Sequence, residues 1–221
     1  MKASNGAWAV TALIGSYVVC QAIADVSATK IVDLGGIVLP AGSMIFALTF
    51  TIRDLIHKRL GKSWARAAIV MAALFNVVQA IYFAWVASLN VPVFYQFKEA
   101  WLSIFAIVPA ITVASIIAEL LSELADTEVY HAWYERVVSK GAPQWTAVLV
   151  SNAVSLPLDS LIFGTLAFTV LPLVFGGESL PISAALTLVA GQIVWKAAVT
   201  VISMPGIYLT RRRSNALVVE V

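Results

Sequence analysis

Six long apolar stretches constrain this chain more than any other feature of its sequence. A helix needs about 20 mostly apolar residues to cross the hydrocarbon core of a bilayer. None of the stretches alternates apolar and polar residues as a membrane β-strand does, so only helices fit them. The sequence therefore predicts six transmembrane helices, at residues 8–28, 39–55, 67–88, 102–124, 146–175 and 182–209.

The composition requires lipid around these helices. Of the 221 residues, 61% are hydrophobic and only 12% are charged, whereas a soluble domain carries about a quarter charged residues. So few charges cannot cover the surface of a soluble protein. We expect an all-α integral membrane protein, with residues 1–221 forming a single six-helix transmembrane domain in the lipid bilayer.

Basic residues mark one side of the membrane, because they are concentrated in alternate connections and flank the spans. By the positive-inside rule, the N and C termini are both predicted to be cytoplasmic. The same placement predicts no nucleic-acid partner. The basic side has Lys58, Arg59, Lys62, Arg66, Arg136, Lys140, Arg211, Arg212 and Arg213, and the opposite connections have only Lys30 and Lys98.

The two halves of the chain carry similar polar residues in corresponding spans. The second and fifth spans each carry a carboxylate, Asp54 and Asp159, and the third and sixth each carry an amide, Gln79 and Gln192. Three spans per half would give the halves opposite orientations, as in many transporters. The arrangement as two inverted three-helix halves stays open, since no measurable sequence repeat accompanies this similarity.

The fifth span carries an unusually polar face. Asn152, Ser155 and Asp159 are spaced i, i+3, i+7, which places all three on one side of a helix. Pro157 lies between them and leaves the carbonyl of Ala153 without its helical donor. An ionisable group inside an apolar span costs several kcal/mol and marks a functional site by default. This face predicts one wall of a polar chamber.

The other spans carry similar polar stripes, which must face the bundle interior or water. Together they predict a chamber with two sets of residues. The substrate-binding set is Asp159, Asn152, Glu119, Gln192, Lys196, Trp195, Phe163, Gln79 and Asn76. The gating or ion-pair set is Arg53, Asp54, Asp25, Gln21 and Glu123.

Purely structural roles compete with these assignments. Gln21, Asn76 and Gln79 could be interhelical hydrogen-bond donors and acceptors, worth about 0.6–2 kcal/mol each. Arg53 and Asp54 could form an ion pair near the cytoplasmic end. Asp159 and Lys196 could neutralise each other as a buried pair. The carboxylates nearest the interface, Glu123 and Asp126, are expected to be solvated.

No motif for enzyme chemistry or for a cofactor is found. Gly61-Lys62-Ser63 resembles the end of a phosphate-binding loop, but Ile56 stands where the upstream glycine belongs and no strand is predicted before it. No metal-binding histidine motif and no nucleophile elbow occurs. We therefore expect neither an enzyme nor a bound metal or cofactor.

Six sequence blocks are distinctive: VSATKIV at 26–32, LPAG at 39–42, LTFTIRD at 48–54, SELAD at 122–126, SNAVSLPLDS at 151–160 and GQIVWK at 191–196. In content and order, these blocks resemble the vitamin-uptake-type family of queuosine precursor transporters. They touch five of the six spans. The sequence departs from the family at residues 52–54, where many members have a Thr-Asp pair, and at Lys58 and Leu60.

The resemblance implies uptake of deazaguanine precursors or a related nucleobase across a bacterial inner membrane. A carboxylate, Asp159 or Glu119, would accept the paired N–H donors of a guanine-like edge. Asn152 and Gln192 would match its carbonyl and ring nitrogens. An aromatic side chain, with Trp195 favoured over Phe163, would stack on the heterocycle.

Three mechanisms stay open at this point. The leading one is a secondary transporter or facilitator that works by alternating access. The alternative is a substrate-binding membrane subunit of an ATP-driven uptake system, for which the small pair Ala24 and Ala28 offers a docking surface. A membrane enzyme acting on lipid is the third. Whether two copies associate as a homodimer is also open.

Overall fold

A computed structural model describes residues 2–175, 178–203 and 205 of the chain. It is mostly helical, which confirms the predicted class. Its elements are α1 (Lys2–Ser27), β1 (Ile31–Asp33), β2 (Val38–Pro40), α2 (Gly42–Leu60), α3 (Lys62–Ser88), α4 (Lys98–Phe105), α5 (Val108–Arg136), α6 (Trp145–Thr165), α7 (Leu171–Phe175) and α8 (Ile182–Ser203). A 3-10 turn (Val138–Lys140) follows α5, and a π-helical turn (Leu166–Val170) joins α6 to α7.

Five helical segments in the described part of the chain are long and apolar enough to cross a membrane. The end of the predicted sixth span and the basic residues Arg211, Arg212 and Arg213 lie outside the described residues. The five segments are Trp8–Ser27, Ser63–Ser88, Lys98–Lys140, Trp145–Phe175 and Ile182–Ser203.

The second predicted span, now α2, is absent from this set because of its charges. Its 19 residues make a helix about 28 Å long, close to the thickness of the hydrocarbon core. Its second half carries Arg53 and Asp54, and the Arg53 side chain is buried. Because α2 packs against α1, α3 and α8, its charged face points into the bundle and not toward lipid.

A short antiparallel hairpin precedes α2 and includes the first two residues of the predicted second span. Leu39 and Pro40 begin the predicted second span, but both belong to strand β2, which pairs with β1 from Ile31↔Pro40 to Asp33↔Val38. Gly35 and Gly36 form the turn with φ of 70° and 96°, a conformation that suits glycine. The prediction of helix was wrong here because these glycines and the β-branched residues beside them favour a hairpin.

The fourth predicted span is also interrupted. α4 ends at Phe105 and α5 begins at Val108, with Pro109 in the first turn of α5, where its missing N–H costs nothing. α5 then runs on to Arg136, twelve residues beyond the end of the predicted span. Pro157 lies inside α6 without ending it, and the later departure from α-helix is the π-helical turn.

The polar stripes are buried and the outer faces are apolar. Buried polar side chains occur on α1, α2, α3, α5, α6 and α8. Large apolar side chains such as Val78, Ile81 and Trp85 on α3 are more than half exposed. This inside-out distribution is what a bilayer requires, because lipid cannot hydrogen-bond to the polar stripes.

Two glycines allow elements to approach closely around the buried stripes. A Cβ added at Gly42 would lie 2.8 Å from the Cβ of Ala28 and would overlap the backbone oxygen of Ala24. A Cβ added at Gly191 on α8 would lie 2.8 Å from the carbonyl carbon of Val38. The hairpin and the start of α2 therefore sit directly against α8 and α1.

We expect the substitution Gly191→Ala to lower the thermal unfolding temperature of the protein in detergent. The added methyl group would overlap the β2 backbone, and overpacking of this kind costs about 1–3 kcal/mol. Gly15→Ala on α1 is the matched control, since its Cβ would meet nothing within 4 Å. Equal unfolding temperatures for the two variants would contradict the close packing of β2 on α8.

Candidate functional site

A pocket lies where α1, α2, α5, α6 and α8 converge. It encloses about 310 Å³ of empty volume, including the space at its mouth. Ala24, Ala28, Gly42, Phe46 and Phe163 supply its apolar surface. Its polar lining is Asp25 from α1, Ser43 from α2, Ser115 from α5, Asp159 from α6, and Gln192 and Lys196 from α8.

A buried ion pair forms one side of this pocket. Lys196 Nζ donates to Asp159 Oδ2 at 2.5 Å and to Ser160 Oγ at 3.3 Å. Ser122 Oγ donates to the other oxygen of Asp159 at 3.3 Å. The Lys196 ammonium also lies 5.1 Å from the ring centroid of Phe46. Both charges are thus compensated inside the protein, and both oxygens of Asp159 are engaged.

Two other lining residues carry polar atoms without a hydrogen-bond partner in the described part of the chain. They are Gln192, at both its amide nitrogen and its amide oxygen, and Asp25, at Oδ2. Gln192 is 0% exposed and Asp25 is 2% exposed. An unsatisfied buried polar group costs about 1–3 kcal/mol and calls for an explanation such as a bound molecule. The pocket therefore presents hydrogen-bonding groups that a ligand can satisfy.

The aromatic walls of the pocket are Phe46 and Phe163. Each is held edge-on by a second phenylalanine, Phe50 at 5.5 Å and Phe168 at 5.9 Å between ring centroids. Trp195, which the sequence favours for stacking, does not line the pocket, because its Nε1 points to the backbone oxygen of Met44 at 3.4 Å. Phe46 lies one helical turn after Gly42 and takes that position instead.

A second cluster of charges surrounds Arg53. Its guanidinium pairs with Glu123, with Asp126 at 3.0 Å and with Asp54 at 3.2 Å, and Ser155 Oγ donates to Asp126 at 3.0 Å. The expectation that Glu123 and Asp126 are solvated was wrong, since the buried Arg53 draws both carboxylates inward. Helices α2, α5 and α6 are thereby tied together away from the pocket lining.

Glu119 belongs to a third polar group, outside the pocket lining. Its Oε1 accepts hydrogen bonds from the hydroxyl of Tyr17 and from Gln21 Nε2, the latter at 2.6 Å. Tyr17 is fully buried and was missed by sequence reasoning, although it lies i−4 from Gln21 on the same face of α1. Glu119 therefore joins α5 to α1 and does not face the space available to a ligand.

The family described as "putative vitamin uptake transporter" matches residues 40–210, which include α2 through α8. The chain belongs to this family. Its members are transporters and not enzymes, and the chain is a multi-pass protein of the plasma membrane. A curated protein of Bacillus subtilis (strain 168), named "Probable queuosine precursor transporter", is 26% identical to this chain over 204 residues. The matched region covers 90% of this chain and 82% of the length of that protein. No solved structure matches the chain.

The other residues that were assigned from the sequence to the site of this transporter do not line the pocket. Gln79 Nε2 donates to the backbone oxygen of Ala22 at 3.2 Å, an interhelical bond between α3 and α1. Asn76 and Asn152 are buried, and the Oδ1 atom of each has no hydrogen-bond partner within the described ranges. Five predicted residues do line the pocket: Asp25, Asp159, Phe163, Gln192 and Lys196.

Ser43 and Ser115 were not assigned to the site from the sequence, and Trp195 was preferred to Phe46 as the stacking residue. Ser115 lies i−4 from Glu119, so the polar stripe of α5 extended one turn further than was assigned. Ser43 follows Gly42 at the start of α2, where a serine is common for local reasons. Its role emerges only from the packing of α2 on α1.

We expect Lys196→Met to destabilise the protein by about 3–5 kcal/mol, because Asp159 would be left as an unpaired buried charge. The double variant Lys196→Met/Asp159→Asn should recover much of that loss, as measured by unfolding in detergent. His131 and Glu135 form an exposed i, i+4 pair at 3.2 Å and serve as the control cycle, with a coupling below about 0.5 kcal/mol. A coupling energy between Lys196 and Asp159 that is also below about 0.5 kcal/mol would contradict the assignment of these residues as a buried ion pair.

Proposed function

We propose that this chain carries deazaguanine precursors of queuosine into the cell and that its pocket is the substrate site. The name of the Bacillus subtilis relative supports the substrate class. The residues support the location, because the unsatisfied groups and the aromatic walls occur in the same pocket.

The observation that carries this proposal is the state of Gln192. Its amide is fully buried, lines the pocket, and has neither its donor nor its acceptor satisfied in the described part of the chain. A primary amide offers a donor and an acceptor side by side. A heterocycle with a hydrogen-bond acceptor next to a ring N–H presents the complementary pair, and its flat faces suit Phe46 and Phe163.

Transport requires the pocket to open to each side in turn, and two structures flank it. Arg53 lies seven residues after Phe46 on α2, about 10 Å along the helix axis, so its charge cluster lies beyond one end of the pocket. The hairpin packs on Gly191, beside Gln192, at α8. If α2 crosses the membrane as the second span and both termini are cytoplasmic, the Arg53 cluster lies on the cytoplasmic side, where we assign it as the gate, and the hairpin lies on the outer side.

The chain is proposed to work without an ATP-driven partner. The small pair Ala24 and Ala28, which the sequence offered as a docking surface, is buried against Gly42 and lines the pocket. It is therefore unavailable to a second protein. Alternating access by this single chain, as a secondary transporter or facilitator, is the mechanism we infer.

The test is uptake of a radiolabelled 7-substituted 7-deazaguanine by the purified protein in liposomes, without ATP. We expect uptake above that of empty vesicles. Gln192→Leu should lower affinity roughly 10–100-fold, since two hydrogen bonds of about 0.5–1.5 kcal/mol each are lost. Gln79→Leu is the matched control and should keep wild-type affinity, because Gln79 does not line the pocket.

Three outcomes would contradict parts of this proposal. Absence of uptake unless an ATPase is added would exclude transport by the chain alone. Equal affinity of Gln192→Leu and the wild type would exclude the pocket as the substrate site. Glu123→Gln should change the uptake rate while leaving the equilibrium affinity unaltered, and an unchanged rate would remove the Arg53 cluster as a gate.

A further inference from the structure

The charges that line the pocket do not balance within the protein. The described lining has three charged residues, Asp25, Asp159 and Lys196. Lys196 is committed to Asp159, whose second oxygen already accepts from Ser122. Asp25 remains, and its Oδ2 has no hydrogen-bond partner in the described ranges. It is the carboxylate in the pocket that is available to a ligand.

The surroundings of Asp25 offer it no counter-charge. The hydroxyl groups of Ser115 and Thr112 lie close to its carboxyl group, and both residues are uncharged. The other buried cation, Arg53, is held by three carboxylates of its own cluster. A carboxyl group that is 2% exposed and lacks a partner at one oxygen is costly to bury, and a ligand that donates N–H groups to it removes that cost.

We propose that Asp25 recognises the amino–imino edge of the substrate and sets a preference for guanine-type over hypoxanthine-type heterocycles. A guanine-type ring presents a ring N–H and an exocyclic amino group side by side, and a carboxylate accepts such paired donors through its two oxygens. A hypoxanthine-type ring lacks the amino group and offers one donor. This inference rests on the proposed function, since it takes a deazaguanine as the occupant of the pocket.

The assignment differs from the one that the sequence suggests, which gave this edge to Asp159 or Glu119. Both oxygens of Asp159 already accept hydrogen bonds, from Lys196 and Ser122, and Glu119 is engaged by Tyr17 and Gln21 outside the pocket lining. With Asp25 on the amino–imino edge, the amide of Gln192 is left for the neighbouring edge, where an acceptor ring nitrogen and the pyrrole-type N–H lie side by side. Each unsatisfied group in the pocket then has a partner on the ligand.

The test is equilibrium binding of 7-deazaguanine and 7-deazahypoxanthine to the purified full-length protein in detergent. We expect the wild type to bind 7-deazaguanine at least tenfold more tightly, because hypoxanthine-type binding leaves part of a charged acceptor unsatisfied. Asp25→Asn should reduce that ratio to about threefold or less. The matched control is Asp33→Asn on β1, outside the pocket, which should keep the wild-type ratio.

The outcomes separate this inference from the proposed function. If the wild type binds neither compound, the proposed function fails and the inference fails with it. If it binds both equally, or if Asp25→Asn keeps the preference, the inference alone is overturned. A loss of the preference in Asp159→Asn but not in Asp25→Asn would return the role to Asp159. If Asp25→Asn does not fold, the wild-type affinity ratio still tests the preference, and Asp25→Ser replaces Asp25→Asn as the variant in which that ratio should fall.

Discussion

The ion pair between Lys196 and Asp159 determines what the rest of the site can do. Desolvating both charges costs several kcal/mol each, so neither is tolerated in the bundle without the other. The bond of 2.5 Å between Lys196 Nζ and Asp159 Oδ2 fixes α8 against α6. Ser122 donates to the other oxygen of Asp159. The pair is neutral overall. The described lining residues with polar atoms left to bind a ligand are therefore Asp25 and Gln192.

The polar interior divides into three groups with different consequences. The Arg53 cluster and the Glu119 group are largely satisfied within the protein, and they join helices without facing the pocket. The pocket is different, since the unpaired polar atoms of Asp25 and Gln192 line a space that a ligand can enter. In a protein whose stability is marginal, such a deficit persists where binding compensates it. Within the described residues, unpaired buried atoms also occur outside the pocket, on Asn76 and Asn152, so the site is distinguished by unpaired groups that line an open space.

Helical periodicity was enough to predict the helical class and buried polar faces such as that of α6. The i, i+3, i+7 spacing of Asn152, Ser155 and Asp159 places all three on the buried face of α6. Periodicity says nothing about which stripe meets which, so the partners of Arg53 and the place of Glu119 depended on tertiary packing. Trp195 was favoured by its neighbour Lys196, yet adjacent helical residues point about 100° apart. The hairpin had a local signal, Gly35-Gly36, which the sequence-based prediction did not use.

The most direct test of the central claim is the position of a bound substrate analogue. Crystals of the protein grown with 7-bromo-7-deazaguanine would locate the ligand by the anomalous signal of bromine. The predicted result is a bromine peak in the pocket between Phe46 and Phe163, with the ring edge within about 3.2 Å of Asp25 and Gln192. A peak outside this pocket, or a ring bound to the Asp159 carboxylate with Asp25 left bare, would contradict it.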